Sequence, residues 1–271
     1  MNTLEIIKKY KLLTKKQFGQ NFLVNRELLD KIVNVAGIIE NKNILEIGPG
    51  PGGLTYSILK KNPKKLVSIE IDKDCYDILN IEFKNYKNFN IINDDALKID
   101  EKSLFDEEKI NIISNLPYNV GTVLLLKWIK NISIFESFTL LLQREVVDRI
   151  VAKQGTKDYS RLTIIIQAFC NTKRIFDIKP SSFIPQPKVV SSIVHITPKN
   201  CINNIDFEKL SEISFVLFNQ RRKKIRKIIE SLIIENKINK EIIENIDLDK
   251  RAEELSIDEF IYLSKNFLKN L

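Results

Sequence analysis

The chain has 271 residues, 44% of them hydrophobic, which is ample for one large domain or two smaller ones with real cores and excludes wholesale disorder. Its 43 Lys and Arg against 35 Asp and Glu leave a formal charge of +8, which points to a polyanionic or acidic partner without bearing on fold. Three dispersed cysteines (Cys75, Cys170, Cys201) and a single histidine, His195, exclude a disulfide framework, a cysteine or multi-histidine metal site and a Ser-His-Asp triad, so no metal is expected. In chain order, near-continuously apolar runs at Asn43 to Gly48, Leu66 to Ile71, Phe89 to Asn93, Ile110 to Asn115 and Phe138 to Gln143 read as strands buried on both faces. Amphipathic stretches at Leu54 to Lys61, Lys73 to Tyr86, Thr122 to Ile129 and Glu145 to Ala152 alternate with them, which predicts a parallel sheet of βαβ units. Two more strands, Arg174 to Ile178 and Ser191 to Thr197, flank the proline-rich SSFIPQPKVV and are expected as an antiparallel pair at one edge.

After Pro198 the pattern is helical only. Phe207 to Phe218 and Lys223 to Glu235 carry apolar residues at three- and four-residue spacing, and Ser256 with Glu259 forms a capping box that opens a last helix to about Phe267. The expected division is residues 1–200 as an α/β domain with a basic N-terminal arm and 201–271 as a helical domain, joined through the Asn-rich Pro198 to Ile205. No apolar run approaches the length of a membrane span, and lysines break the start MNTLEIIKKYKLLTKK where a signal peptide needs a continuous apolar stretch. The chain therefore reads as soluble, reduced and cytoplasmic. The heavy use of Ile, Lys and Asn reflects a nucleotide-composition bias, so not every lysine is chosen.

The first strand runs directly into Gly48-Pro49-Gly50-Pro51-Gly52-Gly53 and then an apolar helix. Glycines there permit a tight turn and close approach of backbone to a ligand. Gly48, Gly50 and Gly53 satisfy the dinucleotide fingerprint, with Glu70 twenty-two residues after Gly48, so NAD and another nucleoside cofactor both fit; a bare connection would need less specialised chemistry. Gly48, Glu70, Asp95 and Asn115 each lie at or just after the end of one predicted strand, which places all four on the carboxyl edge of the sheet. Glu70 can accept from both hydroxyls of a ribose and Asp95 from an adenine amino group. Together with the glycine turn they favour an adenosine-containing cofactor.

Asn115-Leu116-Pro117-Tyr118 lies where the fourth strand leaves the sheet. The 6-amino group of adenine is a poor nucleophile because its lone pair is delocalised into the ring. Two acceptors on a rigid loop, the Asn115 side-chain oxygen and a backbone carbonyl beside Pro117, could hold both amino hydrogens and draw the lone pair out of conjugation. Tyr118 offers a stacking face for a flipped-out base. The bland reading is a proline turn with a satisfied Asn and a packed Tyr.

KQFGQNFL at 16 to 23, EIGPGPGGLT at 46 to 55, NLPYNV at 115 to 120, SSFIPQPKVVSSIV at 181 to 194 and FNQRRKKIR at 218 to 226 together resemble the ribosomal RNA adenine dimethyltransferases, most of all the bacterial small-subunit type. The resemblance runs over nearly the whole chain in five ordered blocks. It implies a class I S-adenosyl-L-methionine-dependent methyltransferase fold, Rossmann-like with a mostly parallel seven-stranded sheet, plus a small all-helical C-terminal domain. It implies transfer of two methyl groups to each of two adjacent adenosines near the 3′ end of 16S rRNA, in the small ribosomal subunit or its precursor. Carried over, Asn21 and Leu23 close over the cofactor from the arm, and Gly48, Glu70, Asp95 and Asn115 complete its site. Asn115, Leu116, Pro117 and Tyr118 hold the target base, with Phe183 stacking opposite Tyr118. A second proline in the turn, Pro51, departs from the family pattern and stiffens it. His195, in SSIVHITP, is read as structural.

The charge falls in two clusters. Residues 1–20 hold five Lys and one Glu, net +4; Arg221, Arg222, Lys223, Lys224, Arg226 and Lys227 give +6; the rest of the chain is −2. Lys15, Lys16 and the second cluster are the candidate phosphate contacts, with a solvated helix face as the plain alternative. Three rival functions remain: a large-subunit dimethyltransferase of the macrolide-resistance type, an NAD-dependent oxidoreductase, for which NLPY has no use, and a non-catalytic RNA-binding or transcription factor on the same fold. A monomer is expected.

Overall fold

The computed structural model describes residues 3–200 and 204–268; Cys201 and part of the expected linker lie outside them. The chain divides into two compact units, residues 1–147 with 173–198, and residues 148–172 with 199–271. This differs from the division expected at residue 200. The physical reason is α7 (Arg161–Phe169), an apolar helix absent from the sequence reading, whose Phe169 ring lies 6.1 Å from Phe207 and whose Phe169 carbonyl accepts the Lys199 N–H.

The first unit opens with α1 (Thr3–Lys9), the two-residue β1 (Phe22–Leu23) and α2 (Arg26–Val35), which is capped by the Asn25 side chain on the Leu28 N–H. Then follow β2 (Asn43–Ile47), α3 (Gly53–Leu59), β3 (Lys65–Ile69), α4 (Lys73–Glu82), β4 (Phe89–Ile92), β5 (Ile110–Asn115), α5 (Gly121–Lys130), β6 (Phe135–Gln143) and α6 (Arg144–Ile150). After α7 come β7 (Cys170–Ile178), β8 (Phe183–Ile184) and β9 (Ser191–Pro198). The seven-stranded sheet runs β4-β3-β2-β5-β6-β9-β7. β2 pairs in parallel with β3 and β5, β3 with β4, and β5 with β6, while β9 lies antiparallel to β6. The mostly parallel sheet is thus as expected, with β7 and β9 adjacent at one edge.

Strand order reverses between β2 and β5. That switch opens a crevice beyond their carboxyl ends, where open α/β sheets bind ligands. One face of the sheet is packed by Leu29, Ile32, Ile58, Leu79 and Phe83. Trp128, fully buried, stacks on Phe138 at 6.0 Å and sits 6.3 Å from Phe135. β1 pairs antiparallel with β8, Leu23 opposite Phe183, so the arm is stitched to the segment before β9.

In the second unit, α8 (Phe207–Phe218), α9 (Arg226–Ile234) and α10 (Ile257–Lys265) surround Leu210, Ile213, Leu217, Ile229, Phe260 and Leu263. Phe218 stacks on Phe260 at 5.7 Å, and the buried Tyr159 donates its hydroxyl to the Leu255 carbonyl at 2.8 Å. The Ser256–Glu259 capping box is present as expected. Among the described residues no helix is long and apolar enough to cross a membrane.

Candidate cofactor and target-base site

The glycine turn between β2 and α3 folds back on itself because Gly48 and Gly50 take φ of +65° and +55°, a region that costs a residue with a Cβ strain. A Cβ on Gly50 would stand 2.9 Å from the Phe22 ring, and one on Gly48 would stand 3.4 Å from the Pro117 ring. The turn is therefore wedged between the N-terminal arm and the NLPY segment. Glu70 fixes it from below: one carboxylate oxygen accepts the Gly50 N–H at 3.0 Å and the other accepts the Asp72 N–H at 2.9 Å. Burial pushes the Glu70 carboxyl up to about 7, although these two backbone bonds pull the other way.

Beside the turn is a cavity of about 240 Å³ whose walls include Gln17, Phe18, Gly48, Ile71, Asp95 and Leu97. Ile71 and Leu97, 48% and 36% exposed, give this cavity an apolar wall suited to a flat ligand ring. A narrower extension, lined by Asn21, Glu70 and residues 115–118, shares Gly48 and Pro117 with it. The two adjoin at those residues. Gly48, Glu70, Asp95 and Asn115, expected at the carboxyl edge from their spacing, line these adjoining spaces, and Asn21, implied by the resemblance, lines them too. Gln17, Phe18, Ile71 and Leu97 were missed, because an apolar wall supplied by the arm and by loops carries no periodic signal.

Asn115 ends β5. Its side-chain nitrogen donates to the Asn21 carbonyl at 3.1 Å, which leaves the side-chain oxygen for a ligand. The Leu116 carbonyl receives no hydrogen bond from the described residues, whereas the Pro117 carbonyl is taken by the N–H groups of Val120 and Gly121. The free carbonyl beside the proline is therefore that of Leu116. Tyr118 is half-buried, its hydroxyl bonded to Ser191 Oγ, and burial raises its pKa despite that bond.

Phe183 and Leu23 depart from expectation. Phe183 is 1% exposed, inside the core with Leu23, Ile113, Ile178 and Ile193. Side chains alternate along β8, so Phe183 takes the inward place and Ile184, 41% exposed, the outward one; Phe183 presents no free face to a base. The Leu23 side chain likewise packs in the core and lines a small space beneath the turn with Glu46 and Asn115. His195 pairs with Thr139 across the β9–β6 ladder, outside the groove walls.

The proposed phosphate contacts also sort differently. Lys15 Nζ binds Asp72 at 2.6 Å and Asp74 at 2.8 Å, and these bonds hold it protonated well above the ordinary lysine range. The side chain of Lys16 lies outside the described part of the structure. Arg221 bonds Glu253 at 2.6 Å and the carbonyls of Thr156 and Lys157, so it braces the helical unit from within. Lys224 and Arg226 share Asp249 at 3.2 and 3.4 Å. Arg222 and Lys223 are exposed, make no ion pair among the described residues, and line an open groove of about 610 Å³ together with Arg251, which the sequence reading did not name. Lys227 is exposed and unpaired among the described residues as well.

The sequence profile of the ribosomal RNA adenine dimethylase family matches residues 11–269. The chain is 40% identical over 270 residues, covering 96% of each partner, to the ribosomal RNA small subunit methyltransferase A of Wolbachia sp. subsp. Drosophila simulans (strain wRi). It is 43% identical over 259 residues to the protein of that name from Pelagibacter ubique (strain HTCC1062), covering 93% of this chain and 96% of that one. Among solved structures, a dimethyladenosine transferase from Plasmodium falciparum superposes with a TM-score of 0.77 at 27% identity, over 89% of this chain and 95% of that one. A 23S rRNA methyltransferase, ErmE, superposes at 0.68 with 20% identity over 91% and 99%, a likeness of fold.

Proposed function

The chain belongs to the ribosomal RNA adenine dimethylase family, and from that premise we propose that it transfers methyl groups from S-adenosyl-L-methionine to the 6-amino nitrogens of two adjacent adenosines near the 3′ end of 16S rRNA, as a step of small-subunit biogenesis. The observation that carries the reading is Asn115: its nitrogen is committed to the arm, its oxygen accepts no hydrogen bond among the described residues, and it lines a space that shares Gly48 and Pro117 with the nucleoside cavity.

The groove fits the cofactor chemically. Ile71 and Leu97 offer apolar faces to the adenine, Asp95 an acceptor for its amino group, and the fixed Glu70 carboxylate acceptors for the ribose hydroxyls. Bound S-adenosyl-L-methionine supplies a methyl group activated on a sulfonium. The protein's own contribution is positioning. Asn115 Oδ1 and the Leu116 carbonyl hold the two N–H bonds of the target amine and orient its lone pair; Tyr118 walls the base. No strong base is required, because the methylated amine is acidic while cationic and yields its proton to water.

The identity of relatives named for the small subunit, at 40% and 43%, favours this substrate over large-subunit RNA. The test uses labelled S-adenosyl-L-methionine with under-methylated 30S particles and, separately, naked large-subunit RNA, followed by digestion and detection of dimethyladenosine. Label confined to large-subunit RNA overturns the reading.

A further inference from the structure

We propose that Lys127 is the positioning residue of the adenine end of the groove: its ammonium, clamped by the backbone of the loop that follows β4, sets where the Asp95 carboxylate stands and thereby the preference for a 6-amino over a 6-oxo purine. The inference rests on reading Asp95 as the acceptor for the cofactor's amino group.

Asp95 sits in a segment with no strand or α-helix of its own, between Ile92 and a single 3-10 turn at Glu101–Leu104. Asn93, at the start of the loop, donates to the Glu70 carbonyl at 2.7 Å and ties that end to β3, whereas the bonds of Asp95 itself are local. Asp94 accepts the Asp95 N–H at 2.7 Å, and Asp95 accepts the Leu97 N–H at 3.0 Å. On the far side of Asp95 the attachment comes from α5. Lys127 Nζ donates to the Ala96 carbonyl at 3.0 Å, to Glu101 Oε1 at 2.8 Å and to the Ile99 carbonyl. Three acceptors from one loop use all three N–H bonds of the ammonium. Ala96 is the residue next to Asp95, so the clamp acts one peptide away from the carboxylate.

The anchor behind the clamp is rigid. Leu124, Leu125, Trp128 and Ile129 of α5 are fully buried, and Trp128 Nε1 donates to the same Glu101 oxygen at 2.8 Å. The Glu101 side chain is 5% exposed and that of Lys127 23%. An exposed ion pair would be worth little. Here a largely withdrawn charge pair is spent on two backbone carbonyls, which is the arrangement of a group that holds a loop in one geometry. A hydrogen bond from a purine amino group weakens steeply with displacement of its acceptor, so freeing the loop affects adenine more than any other part of the ligand.

The experiment measures by calorimetry the affinities of S-adenosylhomocysteine and of its 6-oxo analogue, S-inosylhomocysteine, for the whole protein and for Lys127→Met, Glu101→Gln and Asp95→Asn. The wild-type protein is expected to prefer the adenosyl ligand by about tenfold or more. Asp95→Asn and Lys127→Met should each compress that ratio to about threefold or less, mainly by weakening the adenosyl ligand. A purely structural role predicts that Lys127→Met weakens both ligands alike with the ratio intact, and that result overturns the proposal. Should Lys127→Met fail to fold, Glu101→Gln, which keeps size and removes the counter-charge, is expected to compress the ratio by about twofold; an unchanged ratio there overturns it equally. If Asp95→Asn itself leaves the preference intact, the reading of Asp95 has failed and the tether falls with it, an outcome distinct from failure of Lys127 alone.

Discussion

Asn115 has one side-chain nitrogen and one side-chain oxygen, and Asn21 engages the first. Replacing Asn115 with Ala removes an acceptor aimed at the reacting amine, so methyl transfer should fall by at least about a hundredfold while RNA affinity holds; filter binding alongside single-turnover transfer separates the two, and equal loss of both would make Asn115 structural. Glu46 makes the second residue-level prediction. Its Oε2 accepts from Thr55 at 2.7 Å and Ser68 at 2.9 Å, while Oε1 is buried with no hydrogen-bond partner among the described residues. Burial pushes the carboxyl from 4.5 up to about 7, against those two hydrogen bonds and with the nearby Glu70 adding to the rise. The folded chain therefore keeps a proton that the unfolded chain has already released between about pH 4.5 and 7. By linkage, stability falls as pH rises through that window, by up to about 3 kcal/mol from this group alone. Glu46→Gln keeps the shape and removes the titration, so denaturant melts at pH 5 and pH 8 should differ less than in the wild type; an unchanged difference would show that Glu46 ionises freely.

At the scale of the element, the run of lysines in the N-terminal arm suggested a phosphate-gripping strand of charge. The structure instead ties the arm down. Asp72, with no exposed side-chain surface, caps α4 and accepts from both Lys15 and Gln20; burial opposes its ionisation, but these bonds hold its carboxyl below the usual range. Lys9 and Tyr10 bind Glu82 in the same way, at a more exposed site. Lys15→Met leaves a buried carboxylate uncompensated and loosens the segment carrying Gln17 and Phe18, so S-adenosylhomocysteine should dissociate about tenfold faster. Lys9→Met, at an exposed pair, should change the rate little. Stopped-flow displacement checks both, and if Lys15 contacts phosphate instead, its loss will alter RNA affinity with the cofactor rate untouched. Sequence periodicity revealed β2, β3, β5 and β6 because strands buried on both faces are apolar throughout; β4, though apolar, lies at the sheet edge with no residue fully buried, contrary to the expectation of burial on both faces; α8 and α10 were revealed by their stripes and cap. It missed α7, whose buried Ile164, Ile165 and Ile166 form an apolar block that reads equally as strand, and β1 and β8, two residues each, which exist only as a tertiary pairing.

For the molecule as a whole, the charge asymmetry was legible and its use was not. Gly48, Glu70, Asp95 and Asn115 could be placed from sequence because the end of each parallel strand falls on one edge by topology alone. Phe183 and Arg221 could not, since whether an aromatic ring faces a core or a groove, and whether a guanidinium meets a carboxylate or solvent, depends on residues distant in the chain: Leu23 for the first, Glu253 for the second. Of the six cations from Arg221 to Lys227, three are engaged with carboxylates of their own unit, and the open groove keeps Arg222 and Lys223 with Arg251. Phosphate contacts release counterions, so each lost contact lowers the dependence of log affinity on log salt by a little under one. The double variant Arg222→Ala, Lys223→Ala should therefore reduce that slope by about 1.5 in RNA binding measured across a salt series, with thermal stability kept. Arg221→Ala should do the reverse, lowering the melting temperature because Glu253 and two backbone carbonyls lose their donor, while the slope moves little. A slope unchanged by the double variant would place the RNA elsewhere on the protein and reduce the +6 cluster to a solvated surface.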